Sequence, residues 1–308
     1  MTASNTLSGV FTPVVTPFKA DLSVDAGRFL ALCRWLVSQG AGLAVFGTNS
    51  EANSLSLRER LSLLEYLVDN GIDPRRMMPG TGCCSLEETV QLTNVALRRG
   101  CGGVLMLPPF FYKGVSDDGL FDFYARVIDR VASADLRVYL YHIPQVSGVP
   151  ISYGLIERLL KSYAGVVVGL KDSSGDWANT EGMLKRFPGF AVFPASESLL
   201  ERALPLGAAG CISATANIQP GPIARLIEQF GTPGSEQRQA AVSAVRSVLQ
   251  AFPMIPALKA VIAARSDDDA WTPVRPPLTG LTSAQAQDLL ARLAALDFEM
   301  PQWQREPA

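Results

Sequence analysis

The chain has a single histidine, His142, in 308 residues. A metal site built on imidazoles would need partners that the sequence does not contain. A Ser-His-Asp triad would rest on His142 alone, and no nucleophile elbow accompanies it. A lone histidine at a strand end reads as structural before it reads as catalytic. Charge is also scarce: 18% of residues are charged and the net charge is −2. That balance points to no nucleic-acid partner and no membrane surface. No apolar run approaches the length of a membrane span. No charged segment followed by an apolar stretch marks a signal peptide, so none is expected. The five cysteines, Cys33, Cys83, Cys84, Cys101 and Cys211, match neither zinc nor disulfide spacing. Reduced thiols in a cytoplasmic enzyme are the simplest reading.

Lysine is nearly as sparse. There are six, and only Lys171 ends a strand-like run, Val166-Val167-Val168-Gly169-Leu170-Lys171, which Asp172-Ser173-Ser174-Gly175 then breaks. An ammonium is costly to bury there, and burial favours the free amine. A free amine can attack a carbonyl and form a Schiff base. The plainer alternative is a structural lysine paired with a carboxylate, for which Glu51 and Glu197 are candidates. Lys259 also has apolar neighbours, but in a helical pattern, where its ammonium is expected to snorkel to water.

What is abundant is apolar sequence, 48% of the chain, and it is periodic. Short apolar runs at Val10–Val15, Gly42–Phe46, Met77–Gly80, Gly103–Leu107, Arg137–Tyr141, Val166–Leu170, Ala191–Phe193 and Gly210–Ser213 read as strands. Helical patterns lie between them: Asp25–Gln39, Leu57–Asn70, Ser85–Arg99, Gly119–Val131, Tyr153–Lys161, Thr180–Arg186 and Leu199–Leu206. In Leu57–Asn70 the apolar face is read as Leu61, Leu64, Tyr66 and Val68, and Ser56 with Glu59 forms a capping box. Strands alternating with helices in this number predict an α/β chain, a (β/α)8 TIM barrel. An open doubly wound sheet is disfavoured, because Thr16-Pro17-Phe18 after the first strand is no dinucleotide loop. Further helical patterns at Ile223–Phe230, Glu236–Ala251, Ile255–Ala264 and Ser283–Leu296 predict the last barrel helix plus a C-terminal helical extension. The expected division is a barrel over 1–232 and an extension over 233–308, with Trp271–Pro277 as a stiff linker.

In a barrel of this kind the active site lies where the strands end. The second strand ends in Gly47-Thr48-Asn49-Ser50-Glu51. Gly47 allows close approach of a ligand, and Thr48 and Asn49 supply groups suited to a carboxylate, although an ordinary polar turn reads the same way. The fifth ends in Tyr141-His142-Ile143-Pro144, where the Tyr141 phenol is either a proton relay or a core tyrosine with a satisfied hydroxyl. The sixth brings Lys171 and Ser173, and the eighth Ile212 and Ser213.

Together these segments resemble the class I aldolases that include dihydrodipicolinate synthase and N-acetylneuraminate lyase. The resemblance runs from Gly9 to Leu296. It rests on Val14-Val15-Thr16-Pro17-Phe18, the Gly47–Glu51 segment, Tyr141-His142-Ile143-Pro144, Gly169–Gly175 and Gly210–Asn217. It implies a barrel with a C-terminal helical extension, assembled as a homotetramer from a pair of dimers. It implies a Schiff base between Lys171 and a small 2-keto acid, pyruvate or a longer one. Tyr141 would relay protons, Thr48 would hold Tyr141, and Thr48 with Gly47 and Asn49 would receive the substrate carboxylate. Ser173, Glu197, Ile212 and Ser213 would line the substrate. No metal and no organic cofactor would be needed, since the protonated imine is the electron sink.

Three departures bear on the reaction. No arginine follows Pro144, where Gln145-Val146-Ser147-Gly148 stands, and this counts against the synthase activity. Phe111 replaces a tyrosine that relays protons across the synthase dimer, leaving Tyr112 beside it as a substitute. Ser50 stands where the family has glycine. Glu197 falls where sialic acid lyases grip the polyol tail, although a carboxylate at a helix start is equally well accounted for by the helix dipole. The expected function is therefore a Schiff-base lyase for a 2-keto-3-deoxy or 4-hydroxy-2-oxo acid, acting by aldol cleavage or dehydration. The alternatives are the synthase itself and a 2-oxo acid binding or regulatory protein.

Overall fold

Seven strands carry the structure, a computed structural model that describes residues 6–301. They are β1 (Gly9–Thr12), β2 (Gly42–Leu43), β3 (Val104–Met106), β4 (Val138–His142), β5 (Val167–Asp172), β6 (Ala191–Pro194) and β7 (Gly210–Ile212). The described residues form two compact units. One takes in residues 6–9 together with Asp73–Ile212; the other takes in Val10–Ile72 and residues 213–301.

The first unit is built on a four-stranded parallel sheet in the order β3-β4-β5-β6. Its strands are buried on both sides, with Val104, Leu105, Val138, Leu140, Leu170 and Val192 almost inaccessible. Unbroken apolar runs rather than alternating ones are what such a parallel sheet requires. The expected strand Met77–Gly80 is reduced to isolated bridge positions at Met77 and Gly80, the latter paired with Leu105. Its hydrogen bonding is nonetheless strand-like: Leu105 N–H donates to Pro79 O (2.9 Å) and Thr81 N–H to Leu105 O (2.9 Å). Pro79 has no N–H and withholds one donor from the ladder. Helices Leu86–Arg98, Asp117–Val131, Tyr153–Ser162 and Trp177–Arg186 follow β-segments, each opened by a side-chain cap from Ser85, Ser116, Ser152 or Asp176. The expected helix Leu199–Leu206 is broken into short turns, with Pro205 inside the last of them.

In the second unit β1 and β2 pair in parallel, Phe11 opposite Gly42 and Thr12 opposite Leu43. Strand β2 stops short of the expected Phe46, whose φ of 62° is left-handed and ends the extension. The capping box of Ser56 and Glu59 is present on helix Leu57–Asp69. The buried face of that helix is Arg60, Leu63, Leu64 and Leu67, which corrects the expected face; Tyr66 points outward and is 37% exposed. Spacings of three, four and seven residues define one face of a helix, and Tyr66 does not share it with Leu64. Helix Met254–Ser266 is buried from Pro256 through Ala263 without a break. Within the Trp271–Pro277 segment, Trp271 is 2% and Val274 8% exposed.

Candidate active site

Tyr141 and Lys171 are register partners across β4 and β5, so their side chains leave the sheet on the same face. Both are buried, at 3% and 4% exposure. Lys171 Nζ donates a hydrogen bond to Tyr141 Oη at 3.2 Å and lies 4.3 Å from the ring centroid. One step back on the same face, Tyr139 stands opposite Gly169. A Cβ at Gly169 would lie 2.5 Å from the Tyr139 ring and 2.5 Å from Ala191 O, so glycine is required where the ring crosses the strand. Tyr139 also packs edge-on against Phe193, and its hydroxyl accepts from Leu7 N–H (2.7 Å). Lys171 and Tyr141 thus sit on a floor of packed aromatic rings.

The opposite face explains why β5 ends where it does. Asp172 accepts from Ser174 N–H (3.0 Å), Asn179 Nδ2 (3.1 Å) and Thr180 Oγ1 (2.6 Å), which ties the strand end to helix Trp177–Arg186. Its register partner His142 accepts at Nδ1 from Ile151 N–H (3.0 Å), so the neutral ring carries its proton on Nε2. Burial pushes the His142 pKa below its ordinary value, and the neighbouring Asp172 opposes that shift. His142 thus ties the strand end to Ile151.

Around this pair, Ser173 N–H donates to His142 O (2.8 Å), and Gln145 Nε2 donates to Ser173 O (2.5 Å). The Ser173 hydroxyl is buried without a hydrogen-bond partner. Glu197, fully buried, opens a short turn just after β6, and Ile212, also fully buried, ends β7. Phe111 and Tyr112 are 73% and 72% exposed and stack edge-to-face on each other.

The second unit holds the remaining predicted residues. Gly47, extended at φ −88° and ψ −170°, leads into the tight turn Thr48–Ser50. Ser50 N–H and Ala52 N–H return to Gly47 O, and Thr16 Oγ1 donates to Ser50 O (2.7 Å). Gly47, Thr48 and Asn49 are therefore gathered in one short loop. Ser213 N–H donates to Phe11 O (3.1 Å), its hydroxyl contacts Thr215 Oγ1 (3.1 Å), and Arg246 Nη1 donates to that hydroxyl (3.1 Å).

One cluster escaped the sequence reading. Lys259 does not snorkel: it is 0% exposed and ion-paired with Glu51, whose side chain is equally inaccessible. Helix Met254–Ser266 offers no wet face over this stretch, so the ammonium is met inside by Glu51, by Pro273 O (2.8 Å) and by the Phe18 ring (4.5 Å). Burial holds the Lys259 pKa below its ordinary value, and Glu51 opposes this. Removing one partner of such a pair strands a buried charge, at a cost of about 3–5 kcal/mol. With Glu51 so engaged, it is not the structural partner that the sequence offered Lys171. The available signal was a charge inside an otherwise apolar helix.

Comparison with known proteins decides the family. A sequence profile of the Dihydrodipicolinate synthetase family matches residues 6–296. The chain belongs to this family. Among its relatives is the uncharacterized DapA-like lyase of Chloroflexus aurantiacus, 35% identical over 92% of this chain and 95% of that one. The 4-hydroxy-tetrahydrodipicolinate synthase of Hydrogenobaculum is 33% identical over 70% of this chain and 73% of its own. Of solved structures, dihydrodipicolinate synthase from Agrobacterium tumefaciens matches with TM-score 0.86 and 31% identity, covering 94% of this chain and 99% of the other. YagE from E. coli, solved in complex with pyruvate, matches with TM-score 0.85 and 25% identity over 94% and 98%. The fold is the α/β TIM barrel of these structures with C-terminal helices, and the chain is a lyase of the family, in the class I aldolase superfamily. Among the described residues no single helix is long and apolar enough to cross a membrane.

Proposed function

We propose that the protein is a Schiff-base lyase for a 2-keto acid, cleaving or dehydrating a 2-keto-3-deoxy or 4-hydroxy-2-oxo acid. The observation that carries this reading is the buried Lys171–Tyr141 pair at the ends of β5 and β4. The Lys171 amine attacks the keto carbon, and Tyr141 carries protons as the carbinolamine loses water to give the iminium. In aldol cleavage the C4 hydroxyl then loses its proton, the C3–C4 bond breaks and an aldehyde leaves. The electron pair of that bond passes into an enamine. Protonation at C3 and hydrolysis of the imine release pyruvate and restore the amine. In dehydration the iminium instead promotes loss of a proton from C3 and of the C4 hydroxyl as water.

In this reading Thr48 orients Tyr141, and Gly47, Thr48 and Asn49 receive the substrate carboxylate. Ser173, Glu197, Ile212 and Ser213 contact the rest of the substrate. The orphaned, buried hydroxyl of Ser173 supports its part in this. YagE binds pyruvate in its crystal structure, which supports pyruvate as the keto acid released in the cleavage branch. Gln145, in place of an arginine, is occupied by Ser173 O, and this argues against a second carboxylate bound there. We place the chemistry in residues 1–232, with 233–308 as the extension. A homotetramer built from two dimers is supported by the exposure of Phe111, Tyr112 and Val146. A cytoplasmic setting suits five cysteines of which none is joined in a disulfide among the described residues.

The test is a screen of 2-keto-3-deoxy acids, 4-hydroxy-2-oxoglutarate and N-acetylneuraminate for pyruvate release or dehydration, with pyruvate plus aspartate semialdehyde as the synthase arm. Turnover in the first set supports the reading. Turnover in the synthase arm alone replaces it with the synthase. An imine without turnover of any candidate replaces it with a 2-oxo acid binding protein.

A further inference from the structure

We infer that Lys259 and Arg275 of the C-terminal extension are positioning residues that set the geometry of the Gly47–Glu51 loop through the carboxylate of Glu51. The inference rests on the reading of that loop as the receiver of the substrate carboxylate.

The loop is not a conformation the local sequence favours. Glu51, directly after the Thr48–Ser50 turn, has φ 56° and ψ 35°, the left-handed region that a residue with a Cβ adopts at a cost. Ser50, beside it, is fully buried with its hydroxyl unpartnered, a second unfavourable feature. Two adjacent costs persist only where the surroundings over-determine the backbone. They do so here through one side chain. Glu51 Oε1 is held by Lys259 Nζ, and Glu51 Oε2 accepts from Arg275 N–H at 3.0 Å.

Both holders are themselves fixed. Lys259 is anchored in the buried helix and donates to Pro273 O. The Arg275 guanidinium donates to Ser54 O (2.6 Å) and Leu22 O (2.9 Å), and pairs with Glu59. Both cations lie over the Phe18 ring, at 4.5 and 4.6 Å from its centroid. The loop is thus gripped at Glu51 and Ser54 from the extension, and at Ser50 O from Thr16.

A turn that receives a carboxylate works by presenting N–H groups and a hydroxyl in fixed places. Loosening it weakens substrate binding before it touches proton transfer at Lys171 and Tyr141. A purely structural staple would lower melting temperature and leave the ratio of kcat to KM effects unbiased.

The experiment begins with wild-type enzyme, pyruvate and borohydride. An adduct at Lys171 upholds the imine chemistry of the proposed function; no adduct removes that function and the inference with it. The second step compares the double variant Glu51→Gln, Lys259→Met, which strands no charge. The expected result is that the pyruvate concentration for half-maximal trapping rises about tenfold or more, while trapping at saturation stays within about threefold. Unchanged pyruvate dependence in the folded double variant overturns the inference and leaves the imine reading standing. Hydrogen exchange on the wild type decides the matter if the variant does not fold. The amides of Ser50, Glu51 and Ala52, which donate within the turn, should be protected without pyruvate and little changed by it. Fast exchange that pyruvate suppresses would overturn the inference.

Discussion

Lys171 Nζ donates to Tyr141 Oη at 3.2 Å because the two residues face each other across adjacent parallel strands. Rigid strands, not loops, set this distance, and the aromatic layer beneath admits no slack. The first prediction concerns the phenol. Tyr141→Phe keeps the ring and its packing but removes the proton relay. It should lower kcat by about 10² or more, with KM changed far less and melting temperature nearly unchanged. Steady-state kinetics on the substrate found by the screen, beside a thermal melt, checks this.

Gly169→Ala should disturb the same site from below. The new Cβ meets the Tyr139 ring and Ala191 O, one of which is backbone and cannot swing away. Overpacking of this kind costs about 1–3 kcal/mol. Urea unfolding should show the loss, and the imine yield should fall with it, since Lys171 lies two residues along the strand.

The single histidine makes a clean titration possible. Burial disfavours the His142 imidazolium, and Asp172 only partly offsets this. His142 should therefore titrate below the ordinary value of about 6.5 in an NMR pH series. The sign for stability follows: the unfolded chain binds a proton first as pH falls. The contribution of His142 is intact above about pH 6.5 and is lost as pH falls towards the folded-state value.

Acid should also reach the Arg275 anchor. Its hydrogen bonds hold the Glu59 pKa at about 2, with Ser56 adding to the effect. A depressed carboxylate stabilises the fold above its unfolded pKa, about 4.3, and that stabilisation is lost as pH falls from there through about 2. Glu59→Gln should be less stable than wild type at pH 7, with the gap closing below pH ~4 in denaturant melts.

Much of this was legible in the sequence, for local reasons. The end of β5 shows itself because an uncharged β-branched run stops at a lysine and a Ser/Gly breaker. The Ser56–Glu59 capping box was legible because its partners are three residues apart. What was not legible depends on distant partners. The register of Tyr141 against Lys171 is set by strand pairing that no local pattern encodes. Lys259 was misread because its counter-ion lies 208 positions away along the chain. The Met77–Gly80 strand is reduced to isolated bridges, and Pro79 withholds one donor from the ladder.

The central claim is that Lys171 forms an imine with a 2-keto acid. Incubation with pyruvate and borohydride, followed by peptide mapping, tests it most directly. The account predicts one reduced pyruvyl adduct, on Lys171, and none in Lys171→Ala. No adduct, or an adduct on another lysine with Lys171 untouched, would contradict it.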